Sequence, residues 1–202
     1  MSNPYADNVS DAKSLLNGGE ATLNRRKAMI ATLGVGYAAS VIPELSHAAI
    51  STSGSGLVEG EISVDVNGFA VPVYRSMPKG NGPFPVVLVL SEIFGVHEHI
   101  ADITRRFAKL GYMALAPELF IRQGDAQGYA VMADLMKEVI NKVPDAQVMQ
   151  DLDAVVAWAG ANGGDLNRLG VTGFCWGGRQ TWLYAAHQPK IKAGVAWYGR
   201  LV

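Results

Sequence analysis

From Glu61 to Val66 apolar and polar residues alternate, the period of a strand with one face buried. Asn67-Gly68 follows, a pair suited to a two-residue hairpin turn because both central positions of that turn need positive φ. Phe69–Tyr74 then returns as the partner strand. Beyond a Gly/Pro loop between Pro78 and Pro85, the run Pro85-Val86-Val87-Leu88-Val89-Leu90 is continuously apolar, which suits a strand covered on both faces of a parallel sheet. A helix over Ile100–Leu110 stops at Gly111, and Tyr112–Ala116 is a short strand ending at Pro117. Tyr129–Lys142 reads as a helix. Pro144–Ala161 reads as a second, with Val148, Leu152, Val155 and Val156 on one face. The apolar strand Leu169–Val171 enters a Gly-rich turn, a helix spans Trp176–His187, and Ala193–Tyr198 is a last strand. Strands alternating with helices predict a doubly wound, mostly parallel α/β sheet, in which ligands bind beyond the carboxyl ends of the strands.

Composition adds bounds. The 202 residues are 49% hydrophobic and 17% charged, enough for one sizeable domain and an extension. A net charge of −1 without a basic stripe argues against nucleic acid as a partner. The single cysteine excludes an internal disulfide and a Cys-rich zinc site. Residues 1–48 carry their own pattern: a polar start, then Asn24-Arg25-Arg26-Lys27, an apolar run Ala28–Ile42, and Ser46-His47-Ala48. A basic segment, a short apolar run and a small-residue end describe a secretory signal. The run is shorter than the roughly 20 apolar residues of a spanning helix, so no stable membrane span is expected. The arginine pair resembles a twin-arginine signal, which makes the export machinery a partner, Ala48 the end of the signal and the periplasm the destination. The alternative is an N-terminal extension on a cytoplasmic protein. Residues 49–56 read as a linker and 57–202 as the folded domain.

The chemistry concentrates at Gly173-Phe174-Cys175-Trp176-Gly177, the G-x-S-x-G nucleophile elbow with cysteine in the serine position. Such a nucleophile sits on a sharp strand-to-helix turn. Side chains two residues to either side would collide with the crossing chain, so glycines stand there, and Gly178 lets the helix pack closely. The turn exposes the sulfur and sets the Trp176 N–H and the helix N-terminus beside it, where negative charge is stabilised. The plain alternative is a Gly-rich turn around a buried, inert cysteine. Glu92, just past the buried Pro85–Leu90 strand, lies at the same sheet end and can meet Cys175 although far away in sequence.

With Ser91-Glu92-Ile93-Phe94-Gly95, Ala116-Pro117-Glu118-Leu119-Phe120, the elbow and Trp197-Tyr198-Gly199 together, residues 58–202 resemble the dienelactone hydrolase (carboxymethylenebutenolidase) family of the α/β-hydrolase fold. The resemblance implies hydrolysis of a small-molecule lactone or enol-lactone ester by a cysteine nucleophile, without metal or organic cofactor. It places the nucleophile on Cys175, an acid that contacts the thiol on Glu92, and the oxyanion hole on the backbone N–H groups of Ile93 and Trp176. A non-catalytic binding protein and a general carboxylesterase are the alternatives. The site has to favour the thiolate, because a free thiol is mostly protonated at neutral pH.

In this fold the triad acid and histidine follow the nucleophile. After Cys175 the sequence contains no Asp or Glu and one histidine, His187, on the same helix and about 18 Å along it at 1.5 Å per residue. His187 cannot reach the sulfur, so the domain is expected to be C-terminally incomplete, with the triad Asp and His absent. His97 and His99 lie on the active-site side. His97, Arg122 and Trp197 are the candidate substrate contacts. Arg122 and Arg179 are of the type that pairs with a substrate carboxylate. His97 and His99 beside Glu98 do not amount to a zinc site, which normally takes three protein ligands of fixed geometry.

Overall fold

A computed structural model describes residues 51–200. The twin-arginine motif at Arg25 and Arg26, the apolar run after it and Ala48 lie outside the described residues. Strand β1 (Leu57–Val66) and β2 (Phe69–Pro78) form the hairpin expected at Asn67-Gly68, whose φ values of 54° and 85° fit the turn type. The pairing runs the full length, from Val66 opposite Phe69 to Leu57 opposite Pro78, so both strands are longer than the alternating stretch alone implies.

Strands β3 (Phe84–Leu90), β4 (Met113–Pro117), β5 (Gly164–Phe174) and β6 (Ile191–Trp197) complete one sheet in the order β1-β2-β4-β3-β5-β6. The β1–β2 and β2–β4 pairs are antiparallel, and the β4–β3, β3–β5 and β5–β6 pairs are parallel. The sheet is therefore mixed and mostly parallel. The chain leaves β3 toward β4 on one side and later returns with β5 on the other, so the strand order reverses at β3. That reversal opens the crevice where ligands of such sheets bind.

Helices cover both faces. Val86, Leu88 and Leu90 of β3 pack with Val148, Leu152, Val155 and Val156 of α3 (Asp145–Ala161) and with Tyr184 of α4 (Trp176–His187). The alternate residue Val89 points the other way, to Ile100 of α1 (Glu98–Lys109), with Ile103 and Phe107 closing that layer. Burial on both sides explains why β3 reads as an unbroken apolar run.

The helix expected over 129–142 is broken. Ala126–Gly128 forms one 3-10 turn, α2 covers Met132–Glu138, and Ile140–Lys142 forms another 3-10 turn. Tyr129 and Val131 keep extended backbones, and Val139 leaves helical geometry at φ −120°, ψ −68°. Tertiary packing decides this: Phe120, Ala126, Leu135, Val139 and Ile140 form a small buried cluster of their own. A straight helix would carry Val139 away from it.

Candidate active site

Cys175 stands between β5 and α4 with φ 53° and ψ −113°, a conformation that costs a side-chain-bearing residue about 1–3 kcal/mol and persists only where surroundings enforce it. The enforcement is steric and local. A methyl on Gly173 would lie 2.2 Å from the Gly177 carbonyl oxygen, and one on Gly177 would lie 2.4 Å from both the Leu90 and Ser91 oxygens. A methyl on Gly178 would lie 2.6 Å from the Trp197 oxygen. The Cys175 N–H donates to that same Trp197 oxygen at 3.0 Å, which ties the elbow to the end of β6. The glycines thus let α4 start directly against the ends of β3 and β6.

The sulfur is half-buried. Burial first, and the Glu92 carboxylate second, push the Cys175 thiol above its ordinary range, while the Trp176 N–H pulls it the other way. The resting site therefore favours the thiol rather than the thiolate that the sequence reading asks for. The physical reason is a desolvated sulfur beside a carboxylate.

Glu92 lies just beyond β3 and is 2% exposed. Its Oε2 sits 3.3 Å from Nε2 of His97, the residue that precedes α1. The loop that carries both is fastened by a third side chain. Glu118, just past β4, accepts from the Val96 N–H at 2.8 Å, and its carboxylate lies so close to Gly95 that a methyl there would come within 2.7 Å of Oε2. Gly95 has φ +71°. Burial raises the Glu118 carboxyl above its usual range, against the opposing pull of the Val96 and Phe120 N–H groups. The Trp176 indole packs on Phe120 with ring centroids 4.7 Å apart, and Ile93 and Phe94 join the same cluster, so elbow and loop share one apolar support.

The structure thus brings Cys175, Trp176, Glu92, Ile93 and His97 to one end of the sheet. It places other candidates elsewhere. Arg122 does not present a free guanidinium: Nη1 donates to Asp151 at 2.6 Å, and the group lies 4.3 Å from the Phe69 ring centre. Asp151 is buried on α3, and a buried carboxylate needs that partner. Arg179 likewise forms two bonds to Asp145, at 2.6 and 2.9 Å. The Trp197 ring stacks on Phe174, and its N–H donates to Thr172 Oγ1 at 3.1 Å. Its contribution to the elbow is the backbone oxygen. His187 pairs with Asp153 of α3 at 2.8 Å, at the far end of α4 from the sulfur. Sequence reasoning assigned Glu118 no role. The available signal was a carboxylate placed just past a buried strand at the same sheet end.

Comparison with known proteins points one way. The model of the dienelactone hydrolase family matches residues 71–202. A protein of Methylorubrum extorquens named "Putative carboxymethylenebutenolidase" is 54% identical over 194 residues, 96% of this chain and 66% of that protein. One of the same name from Escherichia coli is 51% identical over 174 residues, 86% of this chain and 64% of its own length. Among solved structures, the "Putative Dienelactone Hydrolase" of Klebsiella pneumoniae superposes with a TM-score of 0.71 at 57% identity, covering 72% of this chain and 61% of that one. A dienelactone hydrolase-like promiscuous phosphotriesterase from metagenomic libraries does so with a TM-score of 0.62 at 25% identity, covering 73% and 61%. The chain spans a little under two thirds of the length of these curated relatives.

Proposed function

The chain belongs to the dienelactone hydrolase family, and from that premise we propose that it is the part of a lactone or ester hydrolase that supplies the nucleophile, Cys175. The observation that carries this reading is the backbone of Cys175, held at φ 53° between a strand and a helix with the Trp176 N–H directed at its sulfur. A strained non-glycine residue at a ligand-binding sheet end is better accounted for by a reaction than by packing.

The chemistry follows from the neighbours. The thiol proton passes to the Glu92 carboxylate and the electron pair stays on sulfur, which turns the resting thiol into the nucleophile. The thiolate adds to the ester carbonyl carbon. The carbonyl oxygen takes up negative charge between the N–H groups of Ile93 and Trp176, with the N-terminus of α4 behind it. The carbon–oxygen ester bond then breaks, leaving a thioester on Cys175, and the freed oxygen takes up the proton that Glu92 received. Water cleaves the thioester, releases the acid and restores the thiol. A dienelactone is the substrate class that the relatives' names favour.

The test is Cys175→Ala in the protein at its natural length, assayed with a dienelactone and with an aryl acetate. Turnover of the lactone should fall by about 10³-fold or more, the usual effect of deleting a nucleophile. Unchanged turnover in the variant would remove Cys175 from the reaction. A wild-type protein that hydrolyses neither compound would turn the reading toward a binding protein.

A further inference from the structure

Glu92 is the carboxylate whose charge acts on the elbow cysteine, and its side chain is almost fully buried at 3% exposure. A buried carboxyl group tends to hold its proton unless hydrogen-bond donors or a positive charge stabilise the ion. A protonated Glu92 could not accept the thiol proton of Cys175. A side chain within hydrogen-bond reach of it is His97, five residues on, with Nε2 3.3 Å from Oε2 and its own side chain 16% exposed. An ionised Glu92 can only accept, so in that state Nε2 carries the hydrogen of the bond. We infer that His97 is a positioning residue that keeps Glu92 ionised and oriented, so that Glu92 can take the proton of the Cys175 thiol.

The position of His97 suits this. It is the N-cap of α1, yet its side chain makes no capping bond, so the imidazole is not committed to the helix. Its backbone N–H donates to the Gly95 oxygen at 3.0 Å, which fixes the ring's base. Titratable groups around the pair include Cys175 at the elbow, Glu118 past β4, and His99 of α1, whose ring stacks on that of His97 at 6.2 Å. Glu118 is a second carboxylate near the imidazole, and its bond to the Val96 N–H holds the backbone just before His97. Glu98, next in sequence, is engaged by Arg105.

This inference rests on Cys175 being the nucleophile, so its test needs one readout that turnover does not control. The first readout is the pH dependence of kcat/KM for wild type, His97→Leu and His97→Gln. Removing the donor should move the acid limb of the profile to higher pH. His97→Leu should then lose about tenfold near pH 6 and less than about twofold near pH 9, as a buried carboxyl group that has lost one of its donors protonates more readily. His97→Gln keeps an N–H donor without the imidazole and should restore the profile to within about twofold. A loss by the same factor at every pH, or a glutamine variant no better than leucine, would overturn the inference. Should leucine disturb the start of α1, His97→Asn tests the same point, since it is polar but too short to span the gap.

The second readout is infrared difference spectroscopy of the carboxyl C=O stretch near pH 6.5. A protonated-carboxyl band should appear in His97→Leu and be absent from His97→Gln and from the double variant His97→Leu/Glu92→Gln. If Cys175→Ala leaves turnover intact, the nucleophile reading fails while this band still decides the coupling of His97 to Glu92. If the band never appears, the coupling fails whatever the fate of Cys175.

Discussion

Two segments face each other at the same sheet end and are held there by different means. The elbow, from β5 through Cys175 into α4, is held by its backbone. Gly173, Gly177 and Gly178 each stand where a methyl would meet main-chain atoms at 2.2–2.6 Å, and no rotamer change could relieve those contacts. The loop from Ser91 to His97 is held by side chains. The Glu118 carboxylate fastens it at Val96, His97 reaches back to Glu92, and Ile93 and Phe94 join the apolar cluster around Phe120. Backbone fixes the elbow cysteine rigidly. Side chains, which can rotate, fix the loop that carries Glu92, so that loop can yield where the elbow cannot.

Substitutions in the two segments should therefore fail differently. The largest effect is expected for Gly177→Ala. Its methyl has two backbone oxygens, of Leu90 and Ser91, at 2.4 Å, and only movement of α4 off the end of β3 makes room. Destabilisation of about 3 kcal/mol, the upper part of the overpacking range, should appear as a lowered urea midpoint together with loss of turnover. A variant of wild-type stability and activity would show that the elbow is looser than these contacts allow. Gly95→Ala is the counterpart in the loop and should cost less. The left-handed φ of +71° costs alanine about 1–2 kcal/mol, and the methyl's close neighbour, 2.7 Å away, is the end of the Glu118 side chain, which can swing aside. The fold should survive, while release of the Val96 N–H disorders the Ile93–His97 segment and lowers turnover more than stability. Equal damage from the two alanines would erase the contrast.

The same contrast explains what could be read from the sequence. The elbow was legible to the residue: Trp176–His187 as a helix, Cys175 at the turn and the glycines around it all follow from rules of backbone sterics, which act over a few residues. The hairpin at Asn67-Gly68 and the buried run in β3 were legible for the same local reason. The partners of side chains were not. Arg122 offers a carboxylate-binding group in sequence, but its partner Asp151 comes from α3, 29 residues on. Glu118 and the loop it holds are 22 residues apart, and Arg179 and Asp145 are 34 apart. Such pairings depend on how elements pack, and no periodicity records them. The broken helix over 129–142 belongs with these cases, because the packing of Val139 against Phe120 and Leu135 overrode a helical pattern.

Glu118 yields the smallest expected effect and the most specific one. Its folded-state carboxyl titrates above 4.5, chiefly because it is buried, so the fold prefers the protonated form more than the unfolded chain does. Stability from this group is complete below 4.5 and is lost as pH rises through the folded value. Lowering the pH from neutral toward 5 should therefore favour wild type over Glu118→Gln, which does not titrate. Asp102, Asp145, Asp165 and Glu138 shift the other way and contribute stability above their unfolded values that is lost on acidification. Asp151 shifts upward like Glu118. All five are common to both proteins, so they cancel in the difference. Urea unfolding of the pair at pH 7, 6 and 5 measures it. The gap should move toward wild type at each step, by less than either glycine substitution costs. A gap independent of pH would mean that Glu118 is no more desolvated folded than unfolded. The loop would then rest on its apolar contacts alone, and the contrast with the elbow would narrow to one of hydrophobic packing against backbone sterics.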